Sequence, residues 1–253
     1  MRVLLLGGTT EASKLASVLA GHRDIDAILS FAGRTKAPRA PEIAYRIGGF
    51  GGAEGLASYL KAERIDVLID ATHPFAEQMS HHAALAASRA NIPLVVLSRP
   101  TWRSEAADRW IEVADMAAAA AALGQAPKRV FLTVGRLQID AFAAAPQHFY
   151  LIRAIEPLVP SPHLPRHRVI LGRGPFALED EEKLLRSESI EVIVSKNSGG
   201  MATFAKILAA RTLRLPVVMV ARPRQGSIPI LHDPAEVMEF LFRHRETLTS
   251  RGV

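Results

Sequence analysis

The chain has 253 residues, of which 49% are hydrophobic and 22% charged, an ordinary composition for a globular protein with one large domain or two smaller ones. It contains no cysteine, which excludes disulfides, thiol nucleophiles and cysteine-based zinc or iron–sulfur sites. The net charge of +6 comes from basic residues scattered along the chain, without the basic runs and interleaved aromatic residues that nucleic-acid binding requires.

Apolar runs of strand length alternate with segments of helix length in the first hundred residues. The predicted strands are Val3–Leu6, Ala27–Ser30, Val67–Asp70 and Leu94–Ser98, and the predicted helices are Glu11–Ala20, Gly52–Glu63 and Phe75–Ala90. Continuous apolar strands joined by helices are typical of a parallel sheet covered on both faces.

The same alternation restarts after Pro100 and predicts a second lobe. Its predicted strands are Val130–Thr133, Phe149–Arg153, Val169–Leu171, Val192–Ser195 and Val217–Val220, and its predicted helices are Asp115–Leu123, Ala177–Ser187, Met201–Leu213 and Ala235–Arg245. We therefore predict an α/β fold of two doubly wound, Rossmann-like parallel sheets with a cleft between them. In this prediction residues 1–99 form the first domain and residues 100–253 the second, and the packing of the last helix is left open.

The first predicted strand runs directly into the turn Gly7-Gly8-Thr9-Thr10-Glu11 and then into a helix. A glycine turn in this position aims the amides of a helix N-terminus at a phosphate. Thr9 stands where the dinucleotide fingerprint has its second glycine, and it offers a hydroxyl instead. We predict a nucleotide phosphate site at Gly8, Thr9, Thr10 and Glu11.

The ends of the next two predicted strands indicate which nucleotide binds. The second strand ends at Ser30 and is followed by Gly33-Arg34, where sites that prefer NAD place an acid for the ribose hydroxyls. An arginine there suits a 2′-phosphate, so NADPH is favoured over NADH; a solvated basic loop is the alternative. The third strand closes on Asp70-Ala71-Thr72-His73, which places Thr72, as a helix cap, and His73 at the ligand-binding edge of the sheet. A purely structural role is the alternative for His73.

Basic side chains follow the strands predicted for the second lobe. They are Arg136, Arg153, Arg173, Lys196 and Arg222. The carboxyl ends of strands in a doubly wound sheet meet at one edge, so we expect a cationic site for a ligand with several carboxylates.

The most specific segment of the second lobe is Ser195-Lys196-Asn197-Ser198-Gly199-Gly200. Its backbone amides, followed by a helix that opens at Met201, predict an anion site. Lys196 can pair with a carboxylate or deliver a proton; a plain turn with a solvated lysine is the alternative. The chain has no Walker lysine, nucleophile elbow or H-E-x-x-H segment, and we expect no metal site.

Taken together, these segments resemble the precorrin-6A reductase family of cobalamin biosynthesis. The resemblance rests on Gly7–Glu11, Gly33-Arg34, Asp70-Ala71-Thr72-His73-Pro74-Phe75-Ala76, Ser98-Arg99-Pro100-Thr101-Trp102, Gly174-Pro175-Phe176, Lys196–Gly200 and Ala221-Arg222-Pro223. It implies NADPH-dependent reduction of a double bond in precorrin-6A, a tetrapyrrole with many carboxylates, to give precorrin-6B. A second branch of the family reduces the cobalt-bearing ring, and Arg34 weakly favours the metal-free branch.

The predicted roles divide between the two lobes. The cofactor residues are Gly8, Thr9, Thr10, Glu11, Ser30, Gly33, Arg34 and Thr72; the substrate residues are Arg136, Arg153, Lys196, Ser198, Gly199 and Arg222; Lys196 and His73 are the catalytic candidates. We expect a cytoplasmic monomer that binds neither nucleic acid nor membrane. Another NADP-linked oxidoreductase of a polycarboxylated metabolite, or a non-catalytic NADPH-binding module, is the alternative.

Overall fold

The structure is a computed structural model that describes residues 1–32, 41–223 and 226–250. The strands are β1 (Arg2–Leu6), β2 (Asp26–Phe31), β3 (Ala44–Ile47), β4 (Val67–Asp70), β5 (Leu94–Leu97), β6 (Arg109–Val113), β7 (Arg129–Thr133), β8 (Phe149–Ala154), β9 (His167–Leu171), β10 (Val192–Lys196), β11 (Pro216–Val220) and β12 (Ile230–Leu231). The α-helices are α1 (Thr10–Ala20), α2 (Gly52–Ala62), α3 (Glu77–Ala90), α4 (Met116–Ala122), α5 (Leu178–Ser187), α6 (Ala205–Thr212) and α7 (Pro234–Ser250), and 3-10 helices span Arg136–Ala144 and Met201–Thr203.

These elements form two compact units, of which unit 1 contains Met1–Pro100 and Pro223–Val253 and unit 2 contains Thr101–Arg222. The sheet of unit 1 has the order β12-β5-β4-β1-β2-β3, and all of its strand pairs are parallel. Counted from β1, this is the order 3-2-1-4-5-6 of dinucleotide-binding sheets. The order reverses between β1 and β4, where Leu6 pairs with Asp70, and open α/β sheets bind their ligands at such a reversal.

Unit 2 is built on the same plan. Its sheet has the order β6-β11-β10-β7-β8-β9, and all of its pairs are parallel. The run β9-β8-β7-β10-β11 repeats the arrangement of unit 1, and β6, the first strand of this unit, occupies the outer place beside β11. The reversal lies between β7 and β10, where Thr133 pairs with Ser195. The prediction of two parallel α/β sheets is confirmed.

The core of unit 1 explains why β1 is apolar without interruption from Val3 to Leu6. Val3 and Leu5 pack into the cluster that contains α1 and α7, whereas Leu4 and Leu6 pack into the cluster of α2 and α3. Successive side chains of a strand point to opposite faces, so a strand covered on both faces needs an apolar residue at each position.

The C-terminal segment completes unit 1 rather than unit 2. β12 adds to the sheet beside β5, and Val237, Met238 and Leu241 of α7 enter the core cluster that contains Leu15 and Leu19 of α1. The division therefore differs from the sequence-based one, which extended the second domain from residue 100 to residue 253.

Several short elements were not predicted. β3, β6 and β12 lie at sheet edges, where exposed positions interrupt the apolar pattern, and the 3-10 helix Arg136–Ala144 has no clear period. The helix predicted for Met201–Leu213 is broken, because a 3-10 turn at Met201–Thr203 precedes α6. The helix N-terminus predicted at Met201 is therefore wrong.

No described helix combines the length and the apolar character that a membrane span requires. Within the described ranges, no group of three or more potential ligand side chains is placed to hold a metal ion.

Candidate functional site

The turn between β1 and α1 lies at the strand-order reversal of unit 1. Gly8 is exposed and has a φ of +116°, with open space where a Cβ would lie, so this backbone suits glycine. Thr9 is the N-cap of α1: its Oγ1 accepts a hydrogen bond from the Ala12 amide at 3.1 Å and donates one to the Ala71 carbonyl at 2.7 Å. The Thr9 hydroxyl thus caps the helix and ties the turn to the end of β4.

Main-chain amides, rather than that hydroxyl, are available to a ligand. Among the described residues, the N–H groups of Gly8, Thr9, Thr10 and Glu11 donate to no protein acceptor. They lie at the positive end of the α1 dipole, and such a set of amides binds phosphate. The Glu11 carboxylate accepts a hydrogen bond from Arg99 Nη1 at 3.0 Å, which offsets its negative charge at this helix end. Arg99, which follows β5, was not predicted as a site residue.

The end of β2 is held by a neighbouring arginine. Ser30 is buried, and its Oγ accepts from Arg46 Nη1 at 2.8 Å. Arg46 also donates to the carbonyls of Gly48 and Gly49, and its guanidinium stacks 3.9 Å from the ring centroid of Phe50. Arg46 was missed because β3, which carries it, was missed. The predicted cofactor residues Gly33 and Arg34 lie outside the described residues.

The end of β4 is organised by a buried carboxylate. Asp70 accepts from the amide and hydroxyl of Thr72 at 3.0 and 2.6 Å and from the hydroxyl of Ser80 at 2.5 Å. Thr72 therefore does not cap α3, which begins five residues later at Glu77. His73 Nδ1 accepts from the Phe75 amide at 3.2 Å, so a neutral His73 carries its proton on Nε2.

A cavity of about 740 Å³ lies beside α3 in unit 1. Its lining includes Asp70, Pro74, Ser80, His81, Val96 and Ile228. None of the described residues that were predicted to bind cofactor or substrate lines this cavity, and the sequence pattern gave no signal for it.

At the reversal of unit 2, the partly buried Lys196 contacts a glutamine. Lys196 Nζ donates to Gln138 Oε1 at 3.0 Å, and the same oxygen accepts the Gly135 amide at 3.1 Å. Burial lowers the pKa of Lys196 to about 8, because desolvation disfavours the ammonium form. Arg136 is exposed and has no hydrogen bond or ion pair within the described ranges. Gln138 was missed because its partner lies 58 residues away in the chain.

The loop after β10 is clamped from two sides. The Asn197 side chain accepts from the Trp102 amide at 2.8 Å and donates to the Trp102 carbonyl at 3.0 Å, and Trp102 Nε1 donates to the Gly200 carbonyl. Arg222 donates through Nε to the Asn197 carbonyl and through Nη2 to the Ser198 carbonyl, at 2.9 and 2.8 Å. Two of the segments that carry the resemblance, around Trp102 and Asn197, are thereby brought together.

The predicted donors of this loop are not open to solvent. Ser198 and Gly199 are buried, and the Ser198 amide donates to the Lys196 carbonyl at 2.7 Å. Gly199 has a φ of +68°, which turns the chain before the 3-10 helix.

Arg153 is engaged inside unit 2. Its Nη2 donates to Glu181 Oε1 at 2.6 Å, and the guanidinium stacks on Phe176 and Phe131 at 4.0 and 4.8 Å. The Arg153 side chain is 11% exposed and that of Glu181 2%. The geometry makes Arg153 part of a buried ion pair rather than an exposed cation.

A second buried lysine was not predicted. Lys206 on α6 donates to the Thr203 carbonyl at 2.9 Å and lies 5.0 Å from the Trp102 ring centroid. Burial lowers its pKa to about 7; Glu181 acts in the opposite direction. A lysine between Ala205 and Ile207, both buried, is a signal that could have been read from the sequence.

Comparison with known proteins places these features in a family. The family model described as precorrin-6x reductase CbiJ/CobK matches residues 2–241. A precorrin-6A reductase from Sinorhizobium sp is 50% identical over 237 residues, which cover 94% of this chain and 91% of that protein. A solved structure titled CobK precorrin-6A reductase superposes with a TM-score of 0.89 at 47% identity, covering 96% of this chain and 97% of that one. A cobalt-precorrin-6A reductase from Priestia megaterium is 26% identical, over 88% of this chain and 91% of that protein.

Proposed function

The chain belongs to the precorrin-6x reductase family, and we infer that it reduces a carbon–carbon double bond of precorrin-6A in cobalamin biosynthesis. The observation that carries this inference is a similarity of 50% identity over 94% of the chain, a length that includes sequence from both units. The family match over residues 2–241 therefore includes the strand ends of both units, among them the turn before α1 and the loop after β10.

A reductase of this family uses a nicotinamide cofactor, which supplies the hydride when it is bound. Unit 1 fits such a group, because the amides of Gly8, Thr9, Thr10 and Glu11 lie at the strand-order reversal with no protein acceptor among the described residues. These amides and the α1 dipole would hold the pyrophosphate. Ser30 and Thr72 already use their hydroxyls within the fold, so their contribution is to hold the strand ends in place.

We propose NADPH as the cofactor, on the strength of Arg34 in the sequence. In Arg34→Ala we expect KM for NADPH to rise about 10–100-fold, the range for one charge-assisted hydrogen-bonded contact, with KM for NADH nearly unchanged. Arg23→Ala is the matched control, since Arg23 is exposed and precedes β2 at the opposite edge of the sheet. An equal rise for both cofactors would show that Arg34 does not contact the 2′-phosphate.

Unit 2 supplies the positive charges for the substrate carboxylates. Arg136 is exposed after β7, Lys196 ends β10, and Arg222 follows β11. Parallel strands bring these three residues to one edge of the sheet. Arg153 is paired with Glu181, so we assign it to shaping this edge rather than to direct binding. Ser198 and Gly199 provide the buried turn on which Lys196 is presented.

Lys196 is also the proposed proton donor for the ring. Reduction of a double bond needs a hydride at one carbon and a proton at its neighbour. With its pKa lowered to about 8 by burial, Lys196 is protonated at neutral pH and acidic enough to act as a general acid. His73, which carries its proton on Nε2 when neutral, is the second candidate.

The deciding experiment follows NADPH absorbance in the presence of either metal-free or cobalt-bearing precorrin-6A. We expect rapid oxidation with the metal-free ring, because the relatives that act on it are about twice as similar in sequence. Faster oxidation of NADPH with the cobalt-bearing ring would instead assign the chain to the branch of the family that reduces that ring. NADPH binding without oxidation by either ring would contradict a reductase and favour a binding module. The predicted monomeric state and cytoplasmic location remain predictions.

A further inference from the structure

Gln138 joins the two strands that flank the strand-order reversal of unit 2. It lies in the first turn of the 3-10 helix that follows β7, and its Oε1 accepts both the Gly135 amide, just after β7, and Lys196 Nζ, at the end of β10. The distances are 3.1 and 3.0 Å. One side-chain oxygen therefore fixes the loop and the ammonium group relative to each other.

We infer that Gln138 is a positioning residue of the reductase, which holds the Lys196 ammonium at the sheet edge through an uncharged amide and so leaves its proton transferable. This inference rests on the proposed function of Lys196 as proton donor. A carboxylate in the place of the amide would hold the ammonium equally well, but it would stabilise the charged form and oppose loss of the proton.

The backbone of the same corner is shaped for this contact. A Cβ on Gly135 would lie 3.1 Å from Gln138 Oε1 and 3.4 Å from Lys196 Nζ. The distance of 3.1 Å is shorter than most contacts that a Cβ makes in proteins. A glycine at this position lets the amide and the ammonium approach the main chain closely.

The charged groups around Lys196 in unit 2 come from several elements. Lys206 on α6 interacts with it electrostatically, and Arg153 on β8 and Glu181 on α5 act on Lys206 in turn. Arg136 starts the 3-10 helix and Arg222 follows β11. Four of these five groups are cationic, and a neutral acceptor at Gln138 adds no negative charge that would hold the proton on Lys196.

The test is Gln138→Glu, which changes charge with little change of shape. With precorrin-6A and NADPH, we expect the wild-type kcat to fall at alkaline pH as Lys196 loses its proton. In the variant this fall should move up by about one pH unit or more, the effect of an opposite charge at hydrogen-bond distance. The plateau of kcat should drop several-fold, because a weaker acid transfers its proton more slowly, and KM for NADPH should stay constant.

Gln147→Glu is the matched control. The Gln147 side chain donates to the Gly124 carbonyl at 2.9 Å in the same unit, so this variant makes the same chemical change away from the reversal. Its pH profile should coincide with that of wild type. Gln138→Met, which removes the acceptor without adding charge, should lower kcat without moving the alkaline limb upward.

A second readout does not depend on turnover. Lysine-selective isotope labelling and nuclear magnetic resonance give the titration of Lys196, assigned through Lys196→Met, and Gln138→Glu should shift it to higher pH. A folded Gln138→Glu protein whose Lys196 titration and pH profile match those of wild type would overturn the inference. Wild-type protein that shows no oxidation of NADPH would contradict the proposed function, while the titration would still decide the contact.

Discussion

The two units share a strand order but present different chemistry at the same place in it. At the reversal of unit 1, the side chains of Thr9, Asp70 and Glu11 are occupied by partners within the fold, and main-chain amides are left for a ligand. At the reversal of unit 2, Lys196 is partly buried with a lowered pKa and Arg136 is exposed. One edge therefore suits phosphates through its backbone, and the other suits carboxylates through its cations.

Under the proposed assignment, one sheet topology serves two ligand classes. The reversal supplies a position, and the residues after each strand decide what binds there. Backbone amides do not titrate, so binding by unit 1 should vary little with pH between 7 and 9, apart from effects of the ligand itself. Lys196, with its pKa of about 8, titrates in this range. Unit 2 should therefore determine the pH dependence of the reaction.

The largest expected effect is at Lys196. Lys196→Met keeps much of the side-chain volume and removes the proton donor, so kcat with precorrin-6A should fall about 100-fold or more, the usual contribution of a general acid. KM for NADPH should change by no more than about twofold, because the cofactor is assigned to unit 1. Steady-state kinetics with each substrate varied in turn separates the two effects.

Lys196→Arg sharpens this prediction. Arginine retains the positive charge but does not give up its proton in this pH range. If Lys196 only binds a carboxylate, Lys196→Arg should recover most of the lost kcat, and the assignment as proton donor would be wrong. If Lys196 donates the proton, kcat should stay low while KM for precorrin-6A improves relative to Lys196→Met.

The next effect in size is on stability, at Lys206. Its pKa is lowered from 10.5 to about 7 in the folded protein, so the unfolded chain binds more protons between these values. Stability should therefore rise with pH from 7 towards 10.5, and the cost of burying the charge is greatest below pH 7. Lys206→Met removes that cost and should raise the free energy of unfolding at pH 7 by roughly 2 kcal/mol.

Thermal unfolding between pH 7 and 9.5 measures this effect. Roughly 2 kcal/mol corresponds to an increase in Tm of about 4–8 °C for a chain of this size, and the difference from wild type should shrink as pH rises. The upper limit of the range stays well below the ionisation of Tyr150, whose pKa burial raises to about 12. A variant that is less stable than wild type at pH 7 would show that Glu181 stabilises the Lys206 ammonium in the fold.

The regular part of the fold could be predicted from the sequence because burial leaves a local signature. β1 is apolar from Val3 to Leu6 and β4 from Val67 to Ile69, and both strands were placed to within one residue. β3 was missed because Tyr45 and Ile47 are exposed and Arg46 stands between them. β12 has only two residues, and its partner β5 lies more than a hundred residues earlier in the chain.

The candidate site divides in the same way. The positions of Lys196, Arg136 and Arg222 at strand ends could be predicted because they follow from chain order and sheet topology alone. The hydrogen-bond and ion-pair partners of each side chain could not be predicted, because they depend on contacts between residues that are distant in the chain. Gln138 accepts a hydrogen bond from Lys196, which lies 58 residues later in the chain. Glu181 accepts one from Arg153, which lies 28 residues earlier.

The smallest effect concerns Thr9 and tests the backbone character of the unit 1 site. Thr9→Val removes the hydroxyl that caps α1 and bonds to the Ala71 carbonyl, which should cost about 1–2 kcal/mol of stability, whereas Thr9→Ser keeps the cap and should cost less. If the amides carry the phosphate contacts, as proposed, KM for NADPH should rise by no more than about threefold in either variant. A rise of about tenfold in Thr9→Val, with Tm unchanged, would mean that the hydroxyl itself contacts the cofactor. The two edges would then differ less than their hydrogen bonds indicate, since a side chain would bind the pyrophosphate in unit 1 as side chains bind carboxylates in unit 2.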